Sequence, residues 1–257
     1  MFIATALPAF TDNYIWMLTT ENSTGMVVVD PGDADVVIQA IKTNQKPLAA
    51  ILLTHHHPDH TGGVKQLTEM YSIPVYGPAN SPFKDISHPL TDQMEINILG
   101  ETLIVKEVPG HTLDHICYFQ PTATPQLFCG DTLFLAGCGR LFEGSAAQML
   151  DNMHYFTSLP ANTNIYCTHE YSLANLAFAA AVEPNNNDIQ QATEKCRMLR
   201  AANQPTLPSN IAQELKINPF MRSNNQQVQI AAQGYKKTSI NSELDTFTAI
   251  REWKNNF

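Results

Sequence analysis

Seven short apolar runs limit what this chain can fold into: MVVVD (26–30), AAILLT (49–54), IPVYG (73–77), TLIVKEV (102–108), ICYFQ (116–120), QLFCGD (126–131) and NIYCTH (164–169). They are β-branched or aromatic-rich, and Gly, Pro, Asn or Asp bounds most of them, which is the pattern of buried strands. Helical segments fall between the runs. Ala34–Ile41 follows a PGD turn, and Gly63–Tyr71 follows a cluster of histidines. Ser145–Leu159 opens with Ser145 and Gln148 in capping-box spacing and stops at Pro160. Strands and helices mixed in this way predict an α/β or α+β layered sandwich. After Tyr171 the strand runs disappear and Asn, Gln and Ala dominate. Ser172–Val182 and Asp188–Ala202 read as helices, QPTLPS (204–209) as a linker, and a last helix opens at Ser242. The chain is therefore expected to hold a first unit over residues 1–172 and a smaller helical unit over residues 173–257.

Composition narrows the class of function. Apolar residues make up 44% of the 257 and charged residues 15%, which is ordinary for a soluble globule with ample core. The longest apolar runs are strand-length, far short of the roughly 20 residues that span a bilayer, so no membrane association is expected. No Lys or Arg precedes the apolar residues of MFIATALPAF, so a secretory signal is not expected either. The five cysteines form no CxxC pair, which predicts free thiols and a cytoplasmic setting. A formal net charge of −9 repels phosphate backbones and argues against nucleic acid as a partner. A small anionic substrate remains open, provided that a few local cations receive it. A monomer is the expectation for the assembly.

The chemistry is concentrated in LLTHHHPDHTGG (52–63). The buried run AAILLT ends where the cluster begins. In an extended segment alternate side chains share a face, so His55 and His57 point one way and His56 the other. Pro58 turns the chain and brings Asp59 and His60 round beside the first pair. The spacing His55-x-His57-x-Asp59-His60 thus offers two pairs of ligands, suited to two neighbouring metal ions. Further ligands must come from elsewhere, and three candidates stand at strand ends: His111 after KEVPG, Asp131 after LFCG and His169 after IYCT. An aspartate has two oxygens and can bridge two cations, while imidazole suits zinc or iron. This reading puts His55, His57 and His111 on one metal, Asp59, His60 and His169 on the other, and Asp131 between them. His56 is expected to face away, and His115 to hold the GHT turn by local hydrogen bonds. His88 and His154 are assigned no chemistry.

With these residues in place, THHHPDHTGG, PGHTLDHI, FCGDTLF and CTHEY, in that order, resemble the metallo-β-lactamase superfamily. The resemblance implies an αβ/βα four-layer sandwich with a binuclear site. FTDNYIW (10–16), AGCGRLFEG (136–144), YCTHEYS (166–172), NPFMR (218–222) and the helical tail extend it over nearly the whole chain, to the hydroxyacylglutathione hydrolase (glyoxalase II) family. That family cleaves S-lactoylglutathione to glutathione and D-lactate, the second step of methylglyoxal detoxification. The family's seven metal ligands fall on His55, His57, Asp59, His60, His111, Asp131 and His169, the set proposed above. Its glutathione-binding positions fall on Arg140, Phe142, Tyr171, Arg251 and Lys254. Phe142 departs from family members with tyrosine there and so lacks a hydroxyl; Asp114 replaces a glycine common in GHTxGH. Arg251 and Lys254 are three apart, so a helix would place them on one face as a cationic patch for glutathione's glycyl carboxylate, with Arg140 contributing from the first unit.

The implied cofactors are two divalent ions per chain, zinc first, with iron or manganese also admitted by the ligand set. The implied reaction is attack of a metal-activated, bridging hydroxide on a thioester carbonyl, with Asp59 and Asp131 as the catalytic carboxylates. Rival readings on the same scaffold are a lactonase, a β-lactamase or a nuclease. The acidic charge disfavours the nuclease and the cationic helical tail disfavours the β-lactamase. A glutathione-dependent persulfide dioxygenase would bind a single iron and consume oxygen. A non-catalytic metal-binding module is disfavoured because all seven ligands are present.

Overall fold

A computed structural model describes residues 1–257. The first sheet runs in the spatial order β1 (Ile3–Ala9), β2 (Asn13–Thr19), β3 (Met26–Val29), β4 (Leu48–Leu52), β5 (Val75–Pro78) and β6 (His88–Leu90). Pairing is antiparallel from β1 to β3 and parallel from β3 to β6. The second sheet contains β7 (Glu95–Ile98), β8 (Glu101–Glu107), β9 (Ile116–Gln120) and β10 (Gln126–Gly130). After a two-stranded hairpin, β11 (Leu133–Phe134) and β12 (Gly137–Cys138), the second sheet is completed by β13 (Asn164–Cys167) and β14 (Ser209–Asn210). Its only parallel pair is β10 with β13.

Period-two alternation explains why the central strands read as continuous apolar runs. Trp16, Leu18, Val27, Val29, Ala50 and Leu52 belong to the core between the sheets. Their neighbours Ile15, Met17, Met26, Val28, Ile51 and Leu53 belong to a second core on the outer face. Strands covered on both faces have no polar positions to spare. The outer core is closed by α1 (Ala34–Asn44) and α3 (Val64–Tyr71), with Val37, Ile38, Val64 and Leu67 pointing inward. On the far side α4 (Ala146–Thr157) buries Met149, Leu150, Met153 and Phe156, and its Ser145–Gln148 capping box is formed. Helix, sheet, sheet, helix is the four-layer αβ/βα sandwich, and the fold class is α/β.

The remainder is helical: α5 (Ser172–Val182), α6 (Asn187–Ala201), α7 (Ile211–Ile217), α8 (Gln226–Lys236) and α9 (Glu243–Asn255). The asparagine-rich texture has a local cause. Asn186, Asn210 and Asn225 are N-caps whose side chains accept from backbone amides of α6, α7 and α8, and Ser242 caps α9 in the same way. Phe178, Ile189, Phe220 and Phe247 join the core that lies between the sheets, so the helices share a continuous apolar interior with the sandwich. No helix is long and apolar enough to cross a membrane.

The strand runs from residue 26 to residue 169 form strands, but the N-terminal hairpin of β1 and β2 was not among the expected elements. β1 is a half-exposed edge strand that contains Pro8, and a proline fits only at such an edge. Helices α7 and α8 are short or strongly polar and carry little periodic signal.

Candidate active site and metal centre

Ends of strands from both sheets meet along one edge of the sandwich. At the end of β4 the chain turns through Thr54–His57 into the one-turn helix α2 (Pro58–Thr61), where Pro58 takes an N-terminal position that needs no amide hydrogen. A side chain at Gly32 would overlap the Asp59 carbonyl, and side chains at Gly62 and Gly63 would strike the carbonyls of Gly32 and Pro31. The histidine loop is thus pressed onto the Pro31–Gly32 turn, and glycine is required there by space.

The seven side chains singled out in the sequence converge. Ligand atoms of His55, His57 and His111 lie within 4.8 Å of one another, as do those of His55, His60 and Asp131, and those of Asp59, His60 and His169. His57 Nδ1 faces His111 Nε2 across 3.1 Å. Asp131 Oδ2 stands 3.4 Å from His111 Nε2 and 3.3 Å from His169 Nε2, so one carboxylate reaches both groups. Asp59 Oδ2 is 3.4 Å from both His60 Nε2 and His169 Nε2, and it accepts a hydrogen bond from Asn13 Nδ2 at 3.0 Å.

Four of the five imidazoles are aimed from behind, the exception being His57, whose Nδ1 itself faces the site. His60 Nδ1 donates to Asp30 Oδ2 at 3.0 Å, His169 Nδ1 to Asp12 Oδ1 at 2.7 Å, and His111 Nδ1 to the Arg140 carbonyl at 2.8 Å. His55 Nδ1 contacts Thr54 Oγ1 at 3.0 Å, and that hydroxyl donates to Asp30 Oδ2 at 2.7 Å. With Nδ1 engaged, the tautomer is set and the Nε2 lone pair points into the site. Electrostatics favour the neutral ligand form at three of the five imidazoles. Burial, reinforced by neighbouring histidines, holds His55 and His57 below the ordinary imidazole range, and burial does the same for His111. At His60 and His169 burial acts against the charged form, but the facing carboxylates, Asp131 first, outweigh it and raise both above the ordinary range. Burial acts against ionised Asp131, but His60 and His169 outweigh it and hold the carboxyl well below its usual range.

Several atoms here lack the partners that buried polar groups normally have. His55 Nε2, His60 Nε2 and Asp131 Oδ1 are buried and make no hydrogen bond. Nitrogen and carboxylate donors, orphaned and converging, fit borderline divalent cations, whose positive charge would take the place of the protons that the carboxylates now draw onto His60 and His169. These groups support a dinuclear divalent-metal site.

The ligand atoms floor a cavity of about 480 Å³ whose walls include Phe134, Arg140, Phe142 and Tyr171. The Arg140 guanidinium lies 5.4 Å from the Phe142 ring centre. Phe142 is 61% exposed and stands edge-on to His57 and His111. Tyr171 stacks flat on His169, with ring centres 4.6 Å apart.

Comparison with known proteins identifies the scaffold. The metallo-beta-lactamase superfamily model matches residues 10–169, and the model of the hydroxyacylglutathione hydrolase C-terminus matches residues 170–257. The chain is 46% identical over 261 residues to a hydroxyacylglutathione hydrolase of Shewanella halifaxensis, covering 100% of both proteins. It is 48% identical to the enzyme of that name from Pseudoalteromonas translucida, covering 98% of each. The chain belongs to the hydroxyacylglutathione hydrolase family. Among solved structures, ETHE1 from Myxococcus xanthus has the same fold, with a TM-score of 0.68 at 20% identity, covering 98% of this chain and 91% of that one.

Two of the five positions expected to bind glutathione stand apart from the cavity. Arg251 is buried rather than part of a solvent-facing patch, and its NH1 donates to the Cys138 carbonyl at 2.7 Å. A guanidinium with five donors in a fixed fork suits a tight backbone turn, and Cys138 and Gly139 present their carbonyls to it. Lys254 is half-buried between Phe178 and Phe257 and reaches the Ala174 carbonyl. Neither lines the cavity that holds Arg140, Phe142 and Tyr171.

Other histidines find distinct roles. His56 faces away from the ligand group and bonds Asp114 Oδ1 at 2.9 Å; Asp114 also accepts from Ser81 Oγ. His115 does more than brace its own turn. Its Nε2 accepts from the Asp131 amide at 3.1 Å and its Nδ1 meets Thr132 Oγ1, so it positions Asp131 directly. Burial pushes its pKa down to about 3, which keeps Nε2 an acceptor. Asp12, Asp30 and Asn13, which bond His169, His60 and Asp59, are members of the site that sequence reasoning missed. The available signal was that DPG ends a buried run and TDN sits in the turn of the N-terminal hairpin.

Proposed function

We propose that this chain cleaves S-(2-hydroxyacyl)glutathione, S-lactoylglutathione included, to glutathione and a 2-hydroxy acid. The observation that carries the proposal is the placing of the His/Asp groups on the floor of a cavity whose rim holds Arg140, Phe142 and Tyr171. In an acidic protein Arg140 is the local cation for a doubly carboxylated tripeptide. His55, His57 and His111 would hold one divalent ion, Asp59, His60 and His169 the other, and Asp131 would join the two. Zinc is the first choice and iron or manganese the alternatives. When bound, such a pair supplies Lewis acidity and water with a pKa near 7.

The protein's own contribution is orientation. Asn13 fixes the Asp59 carboxylate, and His115 fixes the Asp131 backbone, so both catalytic carboxylates stand still as the carbonyl is attacked. Burial raises the Tyr171 phenol above its ordinary range, so it stays a neutral donor for substrate rather than a proton source. Phe142 offers an apolar face to the acyl-thioester segment. The leaving thiol has a pKa of about 8.5, so its departure requires little protonation. Lys254 adds positive charge at the edge of the helical unit, and Arg251 acts through the carbonyls of Cys138 and Gly139. Residues 173–257 thus serve as the substrate-side unit of a monomer with a small-molecule partner. Its setting is the cytoplasm, in keeping with five buried, unpaired cysteines.

The test is hydrolysis of S-lactoylglutathione beside a lactone and a β-lactam, with elemental analysis of the same preparation. Cleavage confined to the thioester, with two divalent ions per chain, is the expected result. Turnover of the lactone or the β-lactam alone would contradict the proposal, and so would one iron per chain with oxygen uptake.

A further inference from the structure

The stretch LFLAGCG (133–139) separates Asp131 from Arg140, so it connects the metal group to the substrate rim. It forms the β11–β12 hairpin, which has two residue pairs and is too short to hold itself. Its shape is demanding. Ala136 has φ +54°, a side chain at Gly137 would strike Asn175, and one at Gly139 would strike the Asp131 carbonyl.

Buried side chains of the helical unit bond six consecutive residues of this backbone. Asn218 Nδ2 donates to the carbonyls of Phe134 and Gly137 at 3.3 and 3.0 Å. Asn175 Nδ2 donates to the Leu135 carbonyl at 3.1 Å, and Glu214 Oε2 accepts from the Ala136 amide at 2.8 Å. Arg251 donates to the carbonyls of Cys138 and Gly139. Glu214 and Asn218 are bonded to each other at 3.0 Å, and all four side chains are buried.

We propose that Glu214 and Asn218 are positioning residues for the metal centre: by gripping the hairpin backbone they set where Asp131 and Arg140 stand. The helical unit then governs metal affinity as well as substrate contact. The inference rests on Asp131 being a metal ligand. Packing alone does not account for Glu214, because an apolar side chain would fill the space without a buried carboxyl. Burial raises that carboxyl to about 7, and its Oε1 has no partner.

The experiment compares wild type with Glu214→Leu, Glu214→Gln and Asn218→Ala at a temperature where circular dichroism shows each folded. Zinc affinity is read by competition with a chromophoric chelator, and kcat and KM are read with S-lactoylglutathione. Glu214→Leu should weaken the weaker zinc by about tenfold and lower kcat in step. Glu214→Gln keeps an acceptor for the Ala136 amide and should stay within about twofold of wild type. Should Glu214→Leu fail to fold, Asn218→Ala carries the same expectation at roughly threefold, since it removes two carbonyl contacts but leaves Glu214 holding the Ala136 amide. Wild-type zinc affinity in a folded Glu214→Leu or Asn218→Ala, or equal damage in Glu214→Gln and Glu214→Leu, would overturn the positioning role. If zinc affinity falls but wild type leaves the thioester intact, this inference stands and the proposed substrate fails. If wild type cleaves the thioester and zinc affinity is unmoved, the reverse holds.

Discussion

The two sides of the cavity are held in different ways. On the metal side four of the five imidazoles are aimed by a short bond from behind, and the anchors Asp30, Thr54 and Thr168 form one buried knot at the ends of β3, β4 and β13. On the substrate side Arg140 and Phe142 sit on an exposed loop, steadied at second hand by helices gripping the hairpin before it. A charged centre requires fixed geometry, whereas a flexible tripeptide tolerates a rim that adjusts. Damage to the first side should therefore abolish the reaction, and damage to the second should tune it.

The sharpest way to break the contrast is Asp131→Ala, which touches both ligand groups. It should cost at least about 10³-fold in kcat/KM, together with loss of bound metal by elemental analysis. Retained metal and activity would show that the two groups do not depend on a shared carboxylate.

The next largest effect concerns Glu214. Its folded pKa of about 7 lies above its ordinary 4.5, with the Cys167 and Cys196 thiols nearby. The folded state keeps a proton that the unfolded chain releases, so the stability this confers is full below pH 4.5 and is lost as pH rises towards 7. Across that window the loss approaches about 3 kcal/mol. Denaturant melts at pH 5 and pH 8 should show most of that drop in wild type, and Glu214→Gln should lack it. Parallel curves would mean that the carboxyl is not strained by burial.

A smaller change is expected from Asp12→Asn, which weakens the bond behind His169 without removing it. Metal affinity should fall about tenfold, with KM little changed. Phe142→Tyr should have the mildest effect, an expected fall of about threefold in KM for S-lactoylglutathione at constant kcat, as one hydroxyl contact is added. A loss of metal affinity of about tenfold in Phe142→Tyr, as large as that expected of Asp12→Asn, would erase the distinction between the two sides.

The same contrast explains what was legible in the sequence. The convergence of the H-x-H-x-D-H array could be read because its candidate ligands lie within six residues and the loop's alternation sets their directions. His111, Asp131 and His169 could be read because each closes an apolar run. Asp30 and Asp12 could not, since nothing local says that a carboxylate at the end of one strand or in a hairpin turn will face a histidine many residues away. Arg251 was legible as a cation on a helix, but its burial against Cys138 depends on the packing of α9, which helical spacing does not encode. The hairpin LFLAGCG was illegible for a related reason, as its conformation is imposed by side chains up to 113 residues distant.

The most direct test of the central claim is a reconstitution titration. Protein stripped of metal is given zinc in steps, and S-lactoylglutathione cleavage is followed against bound ions per chain. The account predicts no turnover without metal and full turnover only as the second ion binds. Cleavage by the metal-free protein, or a maximum at one ion per chain, would contradict it.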